Sequence, residues 1–203
     1  MGAEVIFQII ILIMAVVCHE VAHGHMAGFL GDPTARLSGR LTLNPLKHLD
    51  PVGSVFVPFL LFLFGLPIIG WAKPVPYNPY LLKGGKWGPA LVALAGPMAN
   101  IFLAIVFGLF IRLGGQNISM VWINFAALIV LINIFLAIFN LIPVPPLDGS
   151  KILVAVIPFR FRFVLDLLER YQLIFLLLVV YIGGQLISPL AGLLFWLLTG
   201  MGL

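Results

Sequence analysis

The residues most capable of chemistry lie together in the first apolar stretch of the chain, which reads His19-Glu20-Val21-Ala22-His23. A helix has 3.6 residues per turn, so His19 and His23 project from one face and their imidazoles can bind one metal ion. Glu20 can reach a water molecule on that ion without occupying a coordination site, which is the chemistry of a zinc hydrolase. The structural alternative is a cluster of these side chains bonded to neighbouring helices.

A catalytic zinc ion usually has a third protein ligand and one open position. The strongest candidate is Asp148, in an irregular proline-rich stretch, 143–149, that directly follows an apolar segment. Non-helical backbone at membrane depth is tolerated only where it is buried in protein or lines a cavity, so a carboxylate there is well placed to reach a metal. From spacing alone a second role stays open for Asp148, namely capping the helix that begins near Ser150.

Two asparagines in apolar segments, Asn100 and Asn140, are further candidates because an unpaired amide is costly in such surroundings. In the functional interpretation they hydrogen-bond the substrate backbone or the developing oxyanion. In the alternative they form interhelical hydrogen bonds, with Gly96 allowing close packing. The sequence favours the interhelical role for Asn100 and leaves both roles open for Asn140.

The elements that carry these residues belong in a membrane. The chain has 203 residues, of which 62% are hydrophobic and 9% charged, whereas a soluble domain is nearer half apolar and a quarter charged. The long apolar stretches are 5–30, 87–111, 120–142 and 173–198. The sequence therefore predicts an all-α polytopic membrane protein with about 4–6 transmembrane helices, folded as a single domain over residues 1–203.

The shorter apolar run 52–70 is predicted to be re-entrant, entering and leaving the membrane on the same face. In that arrangement only Arg112 lies opposite the other lysines and arginines, whereas a full span would divide them more evenly. Cytoplasmic loops are enriched in Lys and Arg. The charge distribution therefore predicts an N-terminus outside and an active site nearer the cytoplasmic face.

Two polar stretches near this run are predicted to be extended. Alternation of apolar and polar residues in 36–43 predicts a short β-hairpin. The prolines in 71–79 are too dense for a helix. Pairing of the two stretches would form a small sheet at the membrane surface.

Three motifs in this order resemble the site-2 protease family of intramembrane zinc metalloproteases. They are HEVAH at 19–23, GPMAN at 96–100 and NLIPVPPLDG at 140–149. The resemblance extends over roughly 18–151 and is to the compact prokaryotic members without a PDZ domain.

The resemblance implies one Zn²⁺ per chain, bound by His19, His23 and Asp148. It implies that Glu20 is the catalytic base. It also implies a prokaryotic cell membrane as the location, and regulated intramembrane proteolysis of membrane-anchored proteins as the function.

The expected partners are a transmembrane protein substrate and the lipid bilayer. The carbonyls of a substrate helix are engaged within the segment, so we expect it to unwind and add a β-strand at 36–43 or 72–77. No nucleic acid is expected, since the 11 lysines and arginines are scattered among loops.

Two other classes of protein remain open at this point. A transporter also uses intramembrane His and Glu, but the sequence has neither an internal repeat nor a second set of ionisable residues for a pathway. A catalytically inactive homologue would bind membrane proteins on the same scaffold. The intact HExxH motif and Asp148 argue against it.

Overall fold

The computed structural model of the protein describes residues 2–56, 59–60, 63–64, 72–114 and 118–202. Within these ranges, four helices are long and apolar enough to cross a membrane, as the sequence predicts. They are α1 (Gly2–Phe29), α3 (Trp87–Gly114), α4 (Met120–Asn140) and α7 (Gln172–Thr199). The shorter helices are α2 (Thr34–Leu37), α5 (Asp148–Val156) and α6 (Arg162–Arg170).

Helix α3 is the centre of the bundle and packs against α1, α4, α5 and α7. An apolar core fills the space between α3, α4 and α7, with Val130 and Ala191 fully buried in it. A Cβ added to Gly108 would lie 2.8 Å from the Cβ of Leu198, so the missing side chain lets α3 and α7 approach closely. The buried face of α3, which includes Gly96 and Asn100, can therefore carry polar groups that lipid does not reach.

The β-hairpin predicted at 36–43 is not confirmed, and the described residues contain no β-strand. The first part of that stretch belongs instead to the helical turn α2. The carboxylate of Asp32 accepts hydrogen bonds from the backbone N–H and the hydroxyl of Thr34, at 2.9 and 2.5 Å, which fixes the start of the turn. The turn ends near Gly39, whose φ of 66° is left-handed. The hydrogen bonds between Asp32 and Thr34 therefore favour a helical turn more strongly than the short alternating pattern favours a hairpin.

The re-entrant prediction for 52–70 falls largely outside the described residues. Of this run the structure describes 52–56, 59–60 and 63–64, and residues Pro51–Phe56 form a π-helical turn. Farther along, the segment 72–78 has no helix, in agreement with its prolines. The predicted sheet is not confirmed either, because the backbone donors of this segment bond elsewhere.

Three backbone N–H groups attach segment 72–78 to the rest of the protein. Lys73 donates to the carbonyl of His48 at 2.8 Å, and Asn78 donates to Asp32 Oδ2 at 2.6 Å. Between them, Val75 donates to Glu20 Oε2 at 2.8 Å. The segment is therefore held against α1 beside its most polar turn.

Candidate metal centre

The two histidines of α1 share one face of the helix, as their spacing predicts, with ring centroids 4.6 Å apart. Asp148 Oδ2 lies 3.0 Å from His19 Nε2 and 3.1 Å from His23 Nε2. All three side chains are buried. The fold therefore brings together two imidazole nitrogens and a carboxylate that are far apart in sequence.

The ring nitrogen that faces away from Asp148, Nδ1 in both histidines, is hydrogen-bonded to a group of helix α3. His19 Nδ1 lies 2.6 Å from Asn100 Oδ1, and His23 Nδ1 lies 2.7 Å from the carbonyl oxygen of Val92. A carbonyl only accepts, so Nδ1 of His23 carries the proton and its Nε2 presents a lone pair towards the centre. This is the arrangement that orients histidines as metal ligands.

Asp148 reaches the histidines because α5 begins at this residue, immediately after the irregular stretch that follows α4. A Cβ on Gly149 would collide with the backbone carbonyls of Leu141 and Ile142, so only glycine allows this close turn. The position before the helix is Leu147, and no side chain caps the helix start. Asp148 thus faces the histidines and does not take the capping role that the sequence left open.

The charge of Asp148 is stabilised by its neighbours. Burial would raise the pKa of this carboxyl, but hydrogen bonds and positive charge from His19 and His23, when their Nε2 atoms are protonated, outweigh burial and lower the pKa. Its other oxygen, Oδ1, lies 3.7 Å from Lys151 Nζ. A positive charge between the carboxylate and the two rings, whether a proton or a metal ion, therefore stabilises the anionic form of Asp148.

Gly96 on α3 makes room for both rings. An added Cβ there would lie 2.5 Å from His23 Cε1 and 2.6 Å from the Nε2 atoms of His19 and His23. Any larger residue would occupy the space in front of the ring nitrogens. The glycine of the GPMAN motif therefore keeps the centre open.

A cavity of about 170 Å³ opens beside the three side chains. Glu20 lines it together with Val75, Tyr77 and Lys151. Asn140 also lines it, and its Nδ2 donates to the carbonyl of Leu136 one turn back at 3.0 Å. The cavity thus gathers every predicted site residue except Asn100.

Asn100 is fully buried, and its amide is occupied by protein partners. Its oxygen faces His19, and its Nδ2 donates to Asn133 Oδ1 at 2.8 Å and to the carbonyl of Ala15 at 3.3 Å. The predicted role in binding substrate or oxyanion does not fit this geometry. The geometry fits the interhelical alternative. One of the hydrogen-bond partners of Asn100, His19, is also a candidate metal ligand.

Sequence reasoning missed three contributors to the site. The backbone N–H of Val75 and the carbonyl of Val92 carry no signal in the sequence, because any residue except proline offers the first and every residue the second. Asn133 does carry one, since a buried amide on an apolar helix is costly unless it has partners. The sequence alone does not give its partner.

The donor set suits a zinc ion. Imidazole nitrogen and carboxylate oxygen are common zinc ligands, and a catalytic site supplies three of them with one position left open. A second grouping is also close, because ligand atoms of His19, Glu20 and His23 lie within 4.8 Å of one another. The residues present therefore fit the metal that the motifs imply.

Comparison with known proteins agrees with these features. The model of peptidase family M50 matches residues 110–182. A Bacillus subtilis protein named "Putative zinc metalloprotease YwhC" is 34% identical over 204 residues, covering 97% of this chain and 87% of that protein. Mycobacterium tuberculosis "Putative zinc metalloprotease Rip2" is 27% identical over 179 residues, covering 88% of this chain and 68% of that protein.

No solved structure gives a significant match to the chain. The relationship to the Bacillus protein, by contrast, extends over nearly the whole sequence and includes the HExxH turn, which lies outside the range matched by the family model. With its apolar helices, this chain is an integral membrane protein and belongs to peptidase family M50, the site-2 protease family.

Proposed function

We propose that the protein is a zinc endopeptidase that hydrolyses peptide bonds in transmembrane segments of membrane-anchored proteins. The observation that carries this proposal is the meeting of Asp148 Oδ2 with the Nε2 atoms of His19 and His23 at 3.0 and 3.1 Å. Lone pairs on three buried atoms repel one another unless a cation or a proton lies between them. A metal ion between these three atoms would relieve the repulsion and would also give the side chains a role in catalysis.

We assign the third ligand to Asp148 and not to Glu20. Consecutive residues on a helix project about 100° apart, so Glu20 does not share the face of His19 and His23. Its carboxylate also accepts the N–H of Val75. Asp148 directs one oxygen at both rings, and this supports it as the ligand.

Glu20 is the general base in this proposal. A zinc ion held by His19, His23 and Asp148 would polarise the scissile carbonyl and make water nucleophilic near neutral pH. Glu20 takes the proton of the attacking water and passes it to the leaving amine. Because Val75 N–H bonds to Oε2 at 2.8 Å, we assign the proton transfer to Oε1.

The substrate reaches this site as an unwound strand. A transmembrane helix keeps its carbonyls bonded within the segment, so the bond to be cleaved is exposed only after local unwinding. Of the two predicted docking edges, 72–77 is the better supported. The alternative, 36–43, begins inside helix α2 and so has less extended backbone to offer.

The free edge of this segment has an unusual composition. Lys73 and Val75 donate into the protein, and Pro74 and Pro76 have no N–H to donate. Within residues 74–76 the only N–H is the one bonded to Glu20, so this stretch would offer a docked strand carbonyl acceptors alone. A docked strand would donate its own N–H groups and leave the adjoining carbonyls unpaired, which suits attack on one of them.

Asn140 is the residue that we assign to the substrate backbone or oxyanion. It lines the cavity, and one of the two N–H groups of its amide donates to the carbonyl of Leu136. The second N–H of the amide can donate to a carbonyl oxygen in the cavity.

We also propose a prokaryotic cell membrane with the N-terminus outside. Along α1, His19 lies roughly 15 Å from the Phe29 end, nearer to that end than to Val5. The polar loops that follow α1 carry lysines and arginines, which favour the cytoplasmic side. Water would then enter the site from the cytoplasm.

The decisive experiment combines metal analysis with cleavage of a test transmembrane substrate. We expect Glu20→Gln to lower the cleavage rate by about a thousandfold, while the purified protein keeps about one zinc ion per chain. Glu169→Gln, an equivalent change on an exposed surface of α6, is the control and should leave both measurements unchanged. Wild-type protein without zinc, or a Glu20→Gln variant that still cleaves, would refute the proposal.

A further inference from the structure

A line of buried hydrogen bonds runs from His19 into the helix bundle. Beyond Asn100, which faces His19 Nδ1, the next member is Asn133 on α4, whose Oδ1 accepts from Asn100 Nδ2 at 2.8 Å. Asn133 Nδ2 donates in turn to the carbonyl of Ile129 at 2.8 Å. The exposed fractions of Asn100 and Asn133 are 0% and 1%. Polar groups thus connect α1, α3 and α4 within otherwise apolar surroundings.

The direction of every bond in this line is determined by two backbone carbonyls. The carbonyl of Ile129 only accepts, so the NH₂ group of Asn133 faces it and the Asn133 oxygen faces Asn100. The carbonyl of Ala15 also only accepts, so it faces the NH₂ group of Asn100. Both constraints turn the Asn100 oxygen towards the imidazole. His19 Nδ1 must then carry the proton, and the lone pair is left on Nε2.

The two partners that orient Asn100 contribute unequally. Its bond to Ala15 is long, at 3.3 Å, whereas its bond to Asn133 is 2.8 Å. A bond of 3.3 Å lies beyond the usual N–H···O range. Asn133 therefore provides the stronger constraint on the amide that orients His19.

We infer that Asn133 is a positioning residue for the metal centre, although it touches neither metal nor substrate. It acts through Asn100 to hold His19 in the tautomer and orientation that a zinc ligand requires. The inference rests on the proposed function for the presence of zinc. It adds a residue on α4, a helix that supplies no ligand, to the determinants of metal affinity.

The test measures the zinc dissociation constant of the full-length protein in detergent by competition with a chelator. Asn133→Leu removes the acceptor while keeping the branched shape of the side chain, and we expect about tenfold weaker zinc binding. The metal-free variant should unfold at a somewhat lower temperature than wild type, because the buried NH₂ group of Asn100 keeps only its long bond to Ala15. Asn124→Leu, on an exposed position of the same helix, is the matched control and should bind zinc like wild type.

A conservative variant separates positioning from packing. A buried carboxyl in apolar surroundings is neutral, so Asn133→Asp can accept from Asn100 and donate to Ile129, and it should restore wild-type affinity. If Asn133→Leu does not fold, Asn133→Ser takes its place, since its side chain is too short to reach Asn100. Equal zinc affinity in wild type and in the Leu or Ser variant would overturn the inference.

The outcome is also separable from that of the proposed function. If wild-type protein binds no zinc, both proposals fail. If wild type binds zinc and Glu20→Gln abolishes cleavage, but loss of the Asn133 amide leaves zinc affinity unchanged, only the positioning role fails. Equal weakening by the Leu and Asp variants would also reject it, because the Asp variant keeps the bonding pattern.

Discussion

The side of the site that we propose for the metal and the side that we propose for the substrate are held in different ways. On the metal side, His19 and His23 sit in a transmembrane helix, and each is bonded through Nδ1 to a buried group of α3. On the substrate side, the segment 72–78 has no regular secondary structure. Backbone N–H groups, such as those of Lys73 and Val75, attach it to the protein.

This difference separates two kinds of sensitivity. A hydrogen bond buried between helices is costly to break, because its partners are left without water or protein to pair with. A backbone donor in an extended segment can exchange one acceptor for another. We therefore expect changes on the metal side to abolish zinc binding, and changes on the substrate side to slow cleavage while zinc remains bound.

Within this comparison, the largest effect is expected from closing the space in front of the rings. Gly96→Val would put atoms where the ring nitrogens of His19 and His23 meet the metal, and zinc affinity should fall by about a hundredfold or more. Gly28→Val is the control, since its added Cβ meets nothing within 4 Å. Zinc content after dialysis measures the effect. Near-normal zinc in the Gly96 variant would mean that the metal lies elsewhere.

A smaller and more selective effect is expected from Val75→Pro. Proline removes the N–H that bonds to Glu20, in a segment that already contains Pro74 and Pro76 and has no helix to break. A hydrogen bond to a charged group is worth about 1.5–3 kcal/mol, so cleavage should slow by about tenfold or more with zinc content unchanged. Val75→Ala keeps the N–H and controls for the loss of buried side chain. Equal activity of the two variants would contradict a role for the N–H.

The smallest effect is expected at Asp32, which connects α2 with segment 72–78. Burial would raise the pKa of Asp32, but hydrogen bonds from the Thr34 hydroxyl and from the N–H groups of Asn78 and Thr34 outweigh it and keep the pKa below its ordinary value of 3.8. At neutral pH, Asp32→Asn should lower the free energy of unfolding by about 1–2 kcal/mol.

The pH dependence of this effect has a definite sign. A carboxyl with a depressed pKa stabilises the fold fully above its ordinary pKa, and the stabilisation is lost as the pH falls through the depressed value. The difference between wild type and Asp32→Asn in thermal unfolding should therefore shrink below about pH 4. Asp166→Asn, on an exposed position of α6, is the control. A difference that stays constant with pH would show that the charge is not what matters.

The sequence predicts the helical part of the protein well, because its signals are long or repeated. About 20 apolar residues in succession predict a membrane span, and α1, α3, α4 and α7 each match such a run. The spacing of His19 and His23 predicts a shared helix face, which the structure confirms. For Asp148, spacing left two roles open, and the resemblance to a family pointed to the role that the geometry now supports.

The short-range predictions did less well. The alternation in 36–43 is only a few residues long, and the bond between Asp32 and Thr34 is enough to favour a helical turn there. The partner of Asn133 depends on how α3 and α4 pack, which no local pattern encodes. The contact between Val75 and Glu20 uses a backbone atom, so the identity of residue 75 does not reveal it.

The prolines of segment 72–78 have one more consequence, which concerns the protein in a crowded bilayer. An exposed strand edge can form backbone hydrogen bonds with the same edge of a second copy. Such pairing can continue from copy to copy and lead to aggregation. Pro74 and Pro76 have no N–H groups, so two copies of this edge could not form a ladder of backbone hydrogen bonds with each other there. The edge that we propose for the substrate would therefore stay accessible without pairing with a second copy of the protein.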